Sequence, residues 1–147
     1  MLMKDRPQDV DLIIPIIPEM ELTAAKTAEA IGEFMRLDPD QIDEIKFALI
    51  EACINAFEHS RSEEGRVNIN FEIGQDALTI HISDRGHGFD LTQARGELER
   101  RHEQGESRRG WGLKIMEELM DEVEIESSVE GTTITMVKRI SRRRGDG

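Results

Sequence analysis

The stretch from Ala48 to His59 limits the possible folds of this chain more than any other part of the sequence. It contains no glycine or proline and many strong helix formers, so we predict that it is helical. Apolar side chains cover most of the circumference of this helix. The remaining polar strip is narrow and consists of Glu44, Glu51, Asn55, Glu58 and His59. Because an unpartnered buried carboxylate or amide costs several kcal/mol, the strip either meets water or forms the floor of a polar ligand site.

The composition favours one soluble globular domain. The chain has 147 residues, 37% of them hydrophobic, which is enough for a single core. Its net charge of −12 argues against nonspecific nucleic-acid binding and is compatible with a basic protein partner. No apolar run is long enough to cross a bilayer and no signal-peptide core opens the chain, so we expect a cytoplasmic protein. The single cysteine, Cys53, lies on an apolar part of the helix and is expected in the core.

Periodicity along the chain predicts one α/β domain of residues 10–140, with disordered ends at 1–9 and at the basic tail 141–147. The predicted strands are residues 10–17, 66–73, 77–83, 122–128 and 132–138, and the predicted helices are 21–35, 39–59 and 113–119. Strands 66–73 and 77–83 form a hairpin. This order is typical of an α+β sandwich of two layers, with a mixed, largely antiparallel sheet and helices on one face.

Local signals fix some of the predicted boundaries. Pro15 suggests that the first strand lies at an edge of the sheet or ends there. Gly32 weakens the end of the first helix. Asp38 is expected to cap the central helix, with Pro39 at its first position and Gln41 reaching back as in a capping box.

Three glycine-bearing sites adjoin the predicted strands and helices. Residues 84–88, with the sequence D-R-G-H-G, follow a strand, and the two glycines allow a close approach to a flat ligand while Asp84 accepts from an exocyclic amine. Residues 110–113, G-W-G-L, open a helix whose free N–H groups and dipole attract phosphate. Residues 131–133, G-T-T, separate the last two strands. Taken singly, each site is equally explained as a turn or a helix start.

Taken in chain order, these sites form one pattern: Glu51-x-x-x-Asn55, Asp84-x-Gly86-x-Gly88, Gly110-x-Gly112-Leu113 and Gly131-Thr132. This pattern resembles the nucleotide-binding motifs of the Bergerat-fold ATPases, which include histidine kinases, type II topoisomerases and heat-shock chaperones. The resemblance covers roughly residues 10–140 and is strongest to the bacterial anti-sigma factors that are serine/threonine protein kinases. Their N-A-x-x-H motif matches residues 55–59, and the run after their second glycine box is similar to residues 114–123.

The resemblance implies a site for ATP and Mg²⁺. Asn55 would coordinate Mg²⁺ through its side-chain oxygen, Glu51 would orient or deprotonate an incoming serine hydroxyl, and Asp84 would accept from the adenine amine. The other cofactor-binding residues that it implies are Gly86 and Gly88 in the adenine pocket, Thr132 near the same base, Gly110, Gly112 and Leu113 as phosphate donors, Arg108 near the γ-phosphate, and His59 and Trp111. For the last two, a helix-end histidine and a packing tryptophan remain alternatives.

Residues 89–109 form a long, charged segment with few apolar side chains. A segment of this length within a compact domain is either a mobile functional element or disordered. The resemblance identifies it as an ATP lid, and we expect it to be poorly ordered without nucleotide.

The resemblance leaves alternative functions open. In the first, the chain is an ATP-dependent serine/threonine protein kinase and anti-sigma factor, which phosphorylates a small anti-anti-sigma antagonist of the STAS type and sequesters a sigma factor. In the second, it binds ATP or ADP and sequesters a partner without catalysis, and the presence of Glu51 argues against this. A third version keeps the kinase but has a phosphatase as its output. A homodimer is also expected, with the first strand and first helix contributing to its interface.

Overall fold

The computed structural model describes residues 8–59, 65–84, 108–128 and 131–140. The elements in these ranges follow the predicted order and types. They are β1 (Gln8–Pro15), α1 (Glu21–Met35), α2 (Pro39–His59), β2 (Arg66–Ile73), β3 (Ala77–Asp84), α3 (Arg108–Leu119), β4 (Glu122–Ser128) and β5 (Gly131–Arg139). The predicted lid lies outside the described residues except for positions 108 and 109, and the predicted disorder at 1–7 and 141–147 also lies outside them.

The described strands form one five-stranded sheet in the order β1-β2-β3-β5-β4. Every neighbouring pair is antiparallel, so this sheet is more uniform than the mixed sheet that we expected. The β2–β3 and β4–β5 pairs are hairpins, and after the two helices the chain returns as β2 beside β1. Edge position explains why β1 tolerates Pro15, which cannot donate a ladder hydrogen bond.

The core lies between the helices and one face of the sheet. Residues at alternate positions of the strands are buried there, as in the register row of Ile69, Ile82 and Ile134. The opposite strand positions are polar or charged, as in the neighbouring row of Asn70, His81 and Thr135. The alternation of period two in the sequence is therefore realised as a two-layer sandwich with helices on one face, as predicted.

The predicted bounds of β1 and of the third helix were wrong, and β3 and β5 are longer than predicted by one residue and by two residues. β1 covers residues 8–15, whereas we expected 10–17, because the chain turns immediately after Pro15, where the Ile17 N–H donates to the Pro15 carbonyl oxygen at 3.0 Å. Gln8 and Asp9, expected to be disordered, pair with β2. The third helix begins at Arg108, five residues before the predicted start.

The start of α2 is fixed by two side-chain contacts. Asp38 Oδ1 accepts a hydrogen bond from the Asp40 N–H at 2.9 Å, which confirms the predicted cap. Gln41 Nε2 donates to the carbonyl oxygen of Arg139 at 2.9 Å, a contact that the sequence did not predict. This second bond holds the first turn of α2 at the end of β5.

Gly32 lies in the last turn of α1, which ends at Met35 as predicted and is followed by Arg36, whose φ is 60°. The Leu37 N–H then donates to the Gly32 carbonyl oxygen at 3.0 Å, as in a Schellman ending. A Cβ at position 32 would lie 2.7 Å from Cγ1 of Ile42 on α2. The missing side chain therefore allows α1 and α2 to approach closely.

We expect Gly32→Ala to destabilise the protein by about 1 kcal/mol, because overpacking of about 1–3 kcal/mol outweighs the helix-propensity gain of about 1 kcal/mol. Urea unfolding measures this change. Ile42→Ala removes the clashing atoms, so the double variant should be more stable than the sum of the two single changes predicts. A Gly32→Ala protein more stable than the wild type would contradict the close contact.

Burial raises the pKa of the Cys53 thiol to about 12. Since the folded pKa is raised from 9.0, the thiol's contribution to stability is full below pH 9 and is lost as the pH rises toward 12. At pH 8 we expect native Cys53 to resist iodoacetamide, with a thiolate fraction about 1,000-fold below that of the unfolded chain. Mass spectrometry after timed labelling, with and without urea, measures both rates, and equal rates would contradict the burial.

Candidate nucleotide-binding site

The polar strip of α2 reaches the end of the sheet where β3 ends and β5 begins. α2 starts beside Arg139, at the far end of β5, and ends a short connection before β2. Fourteen residues separate Gln41 from Asn55, a rise of about 21 Å. Seven residues separate Arg139 from Thr132, a length of about 23 Å. Asn55 therefore lies at about the same height along the sheet as Thr132.

Glu51 and Asn55 lie one turn apart on α2, and both are half-buried. The adjacent residues Ala52 and Cys53 are fully buried, so the strip sits at the margin of the core and remains accessible. A carboxylate and an amide oxygen in this position present acceptors to a cation or to a hydroxyl group. Half-buried side chains are compatible with both explanations of the strip, contact with water and a polar floor for a ligand.

Asp84 and Thr132 form a buried polar pair at the same end of the sheet. They are register partners on β3 and β5, and each is only 6% exposed. Both belong to the strand positions that face the helical layer. An ionised carboxylate here is an acceptor only, which suits an exocyclic amine, and the threonine hydroxyl can donate or accept beside it.

α3 packs against α2, and its last residue, Leu119, accepts a hydrogen bond from Lys138 near the Arg139 end of β5. Gly110 and Gly112 lie in its first turns, because the helix begins at Arg108. The first N–H groups of a helix are free and carry the positive end of its dipole, so they favour an anion. In a regular helix the N–H groups of Gly112 and Leu113 instead pair with carbonyls four residues earlier.

The remaining predicted site residues are described in part or not at all. Gly86 and Gly88 lie outside the described residues. The structure gives His59 as the last residue of α2 and places Arg108 and Trp111 in the first turn of α3, but their side chains lie outside the description. Their predicted contacts with a nucleotide remain predictions.

Sequence analysis missed Lys138, which is 7% exposed. Its Nζ donates to the Leu119 carbonyl oxygen at 2.5 Å and lies 3.4 Å from Glu44 Oε1. The sequence could have indicated its burial, because Lys138 continues the alternation of the core-facing residues Ile134 and Met136. A charge at a core-facing position of a strand marks a buried ionic contact.

Among the described side chains, no group of three His, Cys, Asp or Glu residues is placed to hold a metal ion. In the proposed site, a divalent ion at Asn55 would take further ligands from phosphate oxygens and water. Mg²⁺ commonly binds in this way, with one or two protein oxygens and several waters. The amide oxygen of Asn55 is a suitable donor for such a site.

Comparison with known proteins decides the family. The model of the histidine kinase-like ATPase domain family matches residues 18–138. The chain belongs to this family. The match includes every residue predicted for the site, and the Bergerat-fold prediction is confirmed.

Related proteins match almost the whole length of this chain. The serine-protein kinase RsbW of Bacillus velezensis is 33% identical over 143 residues, which cover 93% of this chain and 89% of the relative. The serine-protein kinase RsbW of Bacillus subtilis is 32% identical over 150 residues, covering 98% and 93%.

Solved structures show the same ATPase fold. A structure of the RsbU and RsbW domains of a Mycobacterium tuberculosis protein superposes with a TM-score of 0.69 at 20% identity, covering 92% of this chain and 33% of that one. A histidine kinase domain from Erythrobacter litoralis superposes with a TM-score of 0.53 at 16% identity, covering 86% of this chain and 62% of that one. None of the helices in the described residues is both long and apolar enough to span a membrane.

Proposed function

We propose that this ATPase-family chain is an ATP-dependent protein serine kinase that acts as an anti-sigma factor in a partner-switching system. The observation that carries the proposal is the buried Asp84–Thr132 pair, which lies on the face of the sheet covered by the helices, where α3 packs on α2. The relatives that match this chain over at least 93% of its length are named serine-protein kinases, which supports the kinase over a module that only binds nucleotide.

Adenine would bind against the Asp84–Thr132 pair. The buried carboxylate of Asp84 accepts from the exocyclic amine, and its low exposure strengthens this hydrogen bond because little water competes. Thr132 is close enough in the register to contact the same base. Gly86 and Gly88, which follow β3, would let the backbone approach the adenine ring.

The phosphates would lie between α2 and the N-terminus of α3. Asn55 would hold Mg²⁺, which would neutralise phosphate charge, and the free N–H groups at the start of α3 would bind the phosphate oxygens. Use of the Gly112 and Leu113 N–H groups requires the first turn of α3 to open, since these groups lie beyond the free positions. Arg108 would add a cation near the γ-phosphate.

Glu51 would act on the incoming serine. Its carboxylate, one turn before Asn55, accepts the hydroxyl proton while the serine oxygen bonds to the γ-phosphorus and the bond to ADP breaks. Phosphoryl transfer depends mainly on positioning and charge neutralisation, so one carboxylate and one metal ion are sufficient. The products are phosphoserine on the partner and ADP.

The partners would be a STAS-type anti-anti-sigma antagonist, as the phosphate acceptor, and a sigma factor. The net charge of −12 favours a basic protein surface on at least one of them. A homodimer is supported by exposed apolar side chains on or near the first strand and helix, namely Ile13, Ile17, Leu22 and Phe34. We place the protein in the cytoplasm, where the sigma factor acts.

The proposal is tested by incubating the chain with γ-labelled ATP, Mg²⁺ and an antagonist candidate isolated from the source organism by affinity capture. We expect label on a serine of the antagonist, located by mass spectrometry. Tight binding of ATP with no transfer to any captured protein would favour the sequestering module. Capture of a phosphatase in place of a sigma factor would identify the chain as a partner-switching kinase whose output is a phosphatase.

A further inference from the structure

Lys138 connects three elements at the end of the sheet far from the nucleotide site. Its ammonium group donates to the carbonyl oxygen of Leu119, the last residue of α3, at 2.5 Å, and lies 3.4 Å from Glu44 on α2. The terminal carbonyls of a helix are unpaired within the helix and form the negative end of its dipole. The cation therefore binds the C-terminus of α3 and the side of α2 at once.

Stability alone gives a poor reason for this arrangement. The side chain of Lys138 is 8% exposed, whereas that of Glu44 is 39% exposed. An ion pair with one partner this exposed generally contributes little to stability, because solvent screens the attraction. What the contact does provide is a fixed geometry between α2, α3 and β5.

Two further hydrogen bonds hold the same end of α3 on β5. The Asp121 N–H donates to the Val137 carbonyl oxygen at 2.9 Å, and Asp121 Oδ2 accepts from the Arg139 N–H at 2.6 Å. These bonds fix the residues after α3 to the strand. Lys138 additionally attaches the C-terminus of α3 to β5. Through Glu44 it also attaches α2, the helix that carries Glu51 and Asn55.

The opposite end of α3 carries the predicted phosphate donors. Gly110 lies nine residues before Leu119, which is about 14 Å along the helix axis. A rotation of about 5° at the fixed end would thus move Gly110 by about 1 Å. A displacement of this size can cost up to about 100-fold where several groups must meet one substrate.

We propose that Lys138 is a positioning residue for phosphate binding, which fixes the C-terminus of α3 against α2 and so aims the N-terminus of α3 at the nucleotide. The inference rests on the proposed function, since it assumes that ATP binds between these two helices. It assigns Lys138 no contact with the nucleotide. Adenine binding, which depends on Asp84 and Thr132, should be independent of it.

The test compares ATP with adenosine in the Lys138→Met variant, which keeps the length of the side chain and removes its charge and donors. By calorimetry in Mg²⁺, we expect the Kd of ATP to rise about tenfold, as a partial loss of positioning would give. The Kd of adenosine should change less than twofold. Glu44→Gln should show the same selective effect, about threefold, and replaces Lys138→Met if that variant does not fold.

Lys46→Met is the matched control. Lys46 also bridges two helices through a carboxylate, Glu29 on α1 at 2.8 Å, so its ion pair joins α2 to α1 and not to α3. It should leave both Kd values unchanged. An equal loss of ATP and adenosine affinity in Lys138→Met would overturn the inference in favour of a general structural role, and so would no loss. Failure of the wild type to bind ATP would instead reject the proposed function.

Discussion

Glu51→Gln is expected to lower phosphate transfer to the antagonist by about 100- to 10,000-fold, the usual contribution of a general base. Glutamine has nearly the shape of glutamate but does not accept the serine proton at neutral pH. The half-buried position of Glu51 on α2 can hold either side chain, so folding should be unaffected. Single-turnover transfer from labelled ATP measures the change.

ATP binding should survive this substitution, because Mg²⁺ and the phosphates are assigned to Asn55 and α3. Calorimetry should therefore give a Kd within about threefold of the wild type, a change below the energy of one ordinary hydrogen bond. Glu58→Gln is the matched control, since Glu58 lies on the same helix two turns later and is exposed. Undiminished transfer by Glu51→Gln would exclude Glu51 as the base.

Asp84→Asn is expected to weaken ATP binding by about 10- to 100-fold, the range for loss of a hydrogen bond to a charged group. In the proposed site the carboxylate accepts from the adenine amine, whereas asparagine can turn an NH₂ donor toward that amine. The same donor would suit the carbonyl oxygen of guanine, which the carboxylate repels. We therefore expect GTP to bind more tightly to the variant than to the wild type.

Competition calorimetry with ATP and GTP measures this change in specificity. Asp76→Asn, in the exposed turn at the other end of β3, is the control and should alter neither affinity. A variant that loses affinity for ATP and GTP by the same factor would indicate damage to the sheet. In that case Asp84 would not read the base.

The sequence predicted the layers for identifiable reasons, whereas the roles of the site residues remain predictions. Alternation of apolar residues defined β2 and β3, and Asp38 with Pro39 located the start of α2, because both signals are local. The four-residue spacing of Glu51 and Asn55 placed them on one side of α2 before any tertiary contact was known.

Features that depend on distant contacts were missed. The role of Gly32 requires Ile42 of the next helix to be in place, and Gln41 contacts Arg139, which is 98 positions away. Lys138 was predicted only to lie in a strand, although its position in the alternation indicated that its side chain faces the core. The start of α3 at Arg108 was missed because two glycines in its first turns are poor helix formers, and packing of the helix on α2 overrides that preference.

The most direct test of the account is calorimetry of the wild-type chain with ATP in the presence of Mg²⁺. We predict saturable heat with one nucleotide per chain, and a much weaker response when Asn55 is replaced by alanine, because the metal then lacks its protein ligand. The absence of any binding heat for the folded wild-type chain, over a range of temperatures, would contradict the nucleotide site and the kinase function built on it.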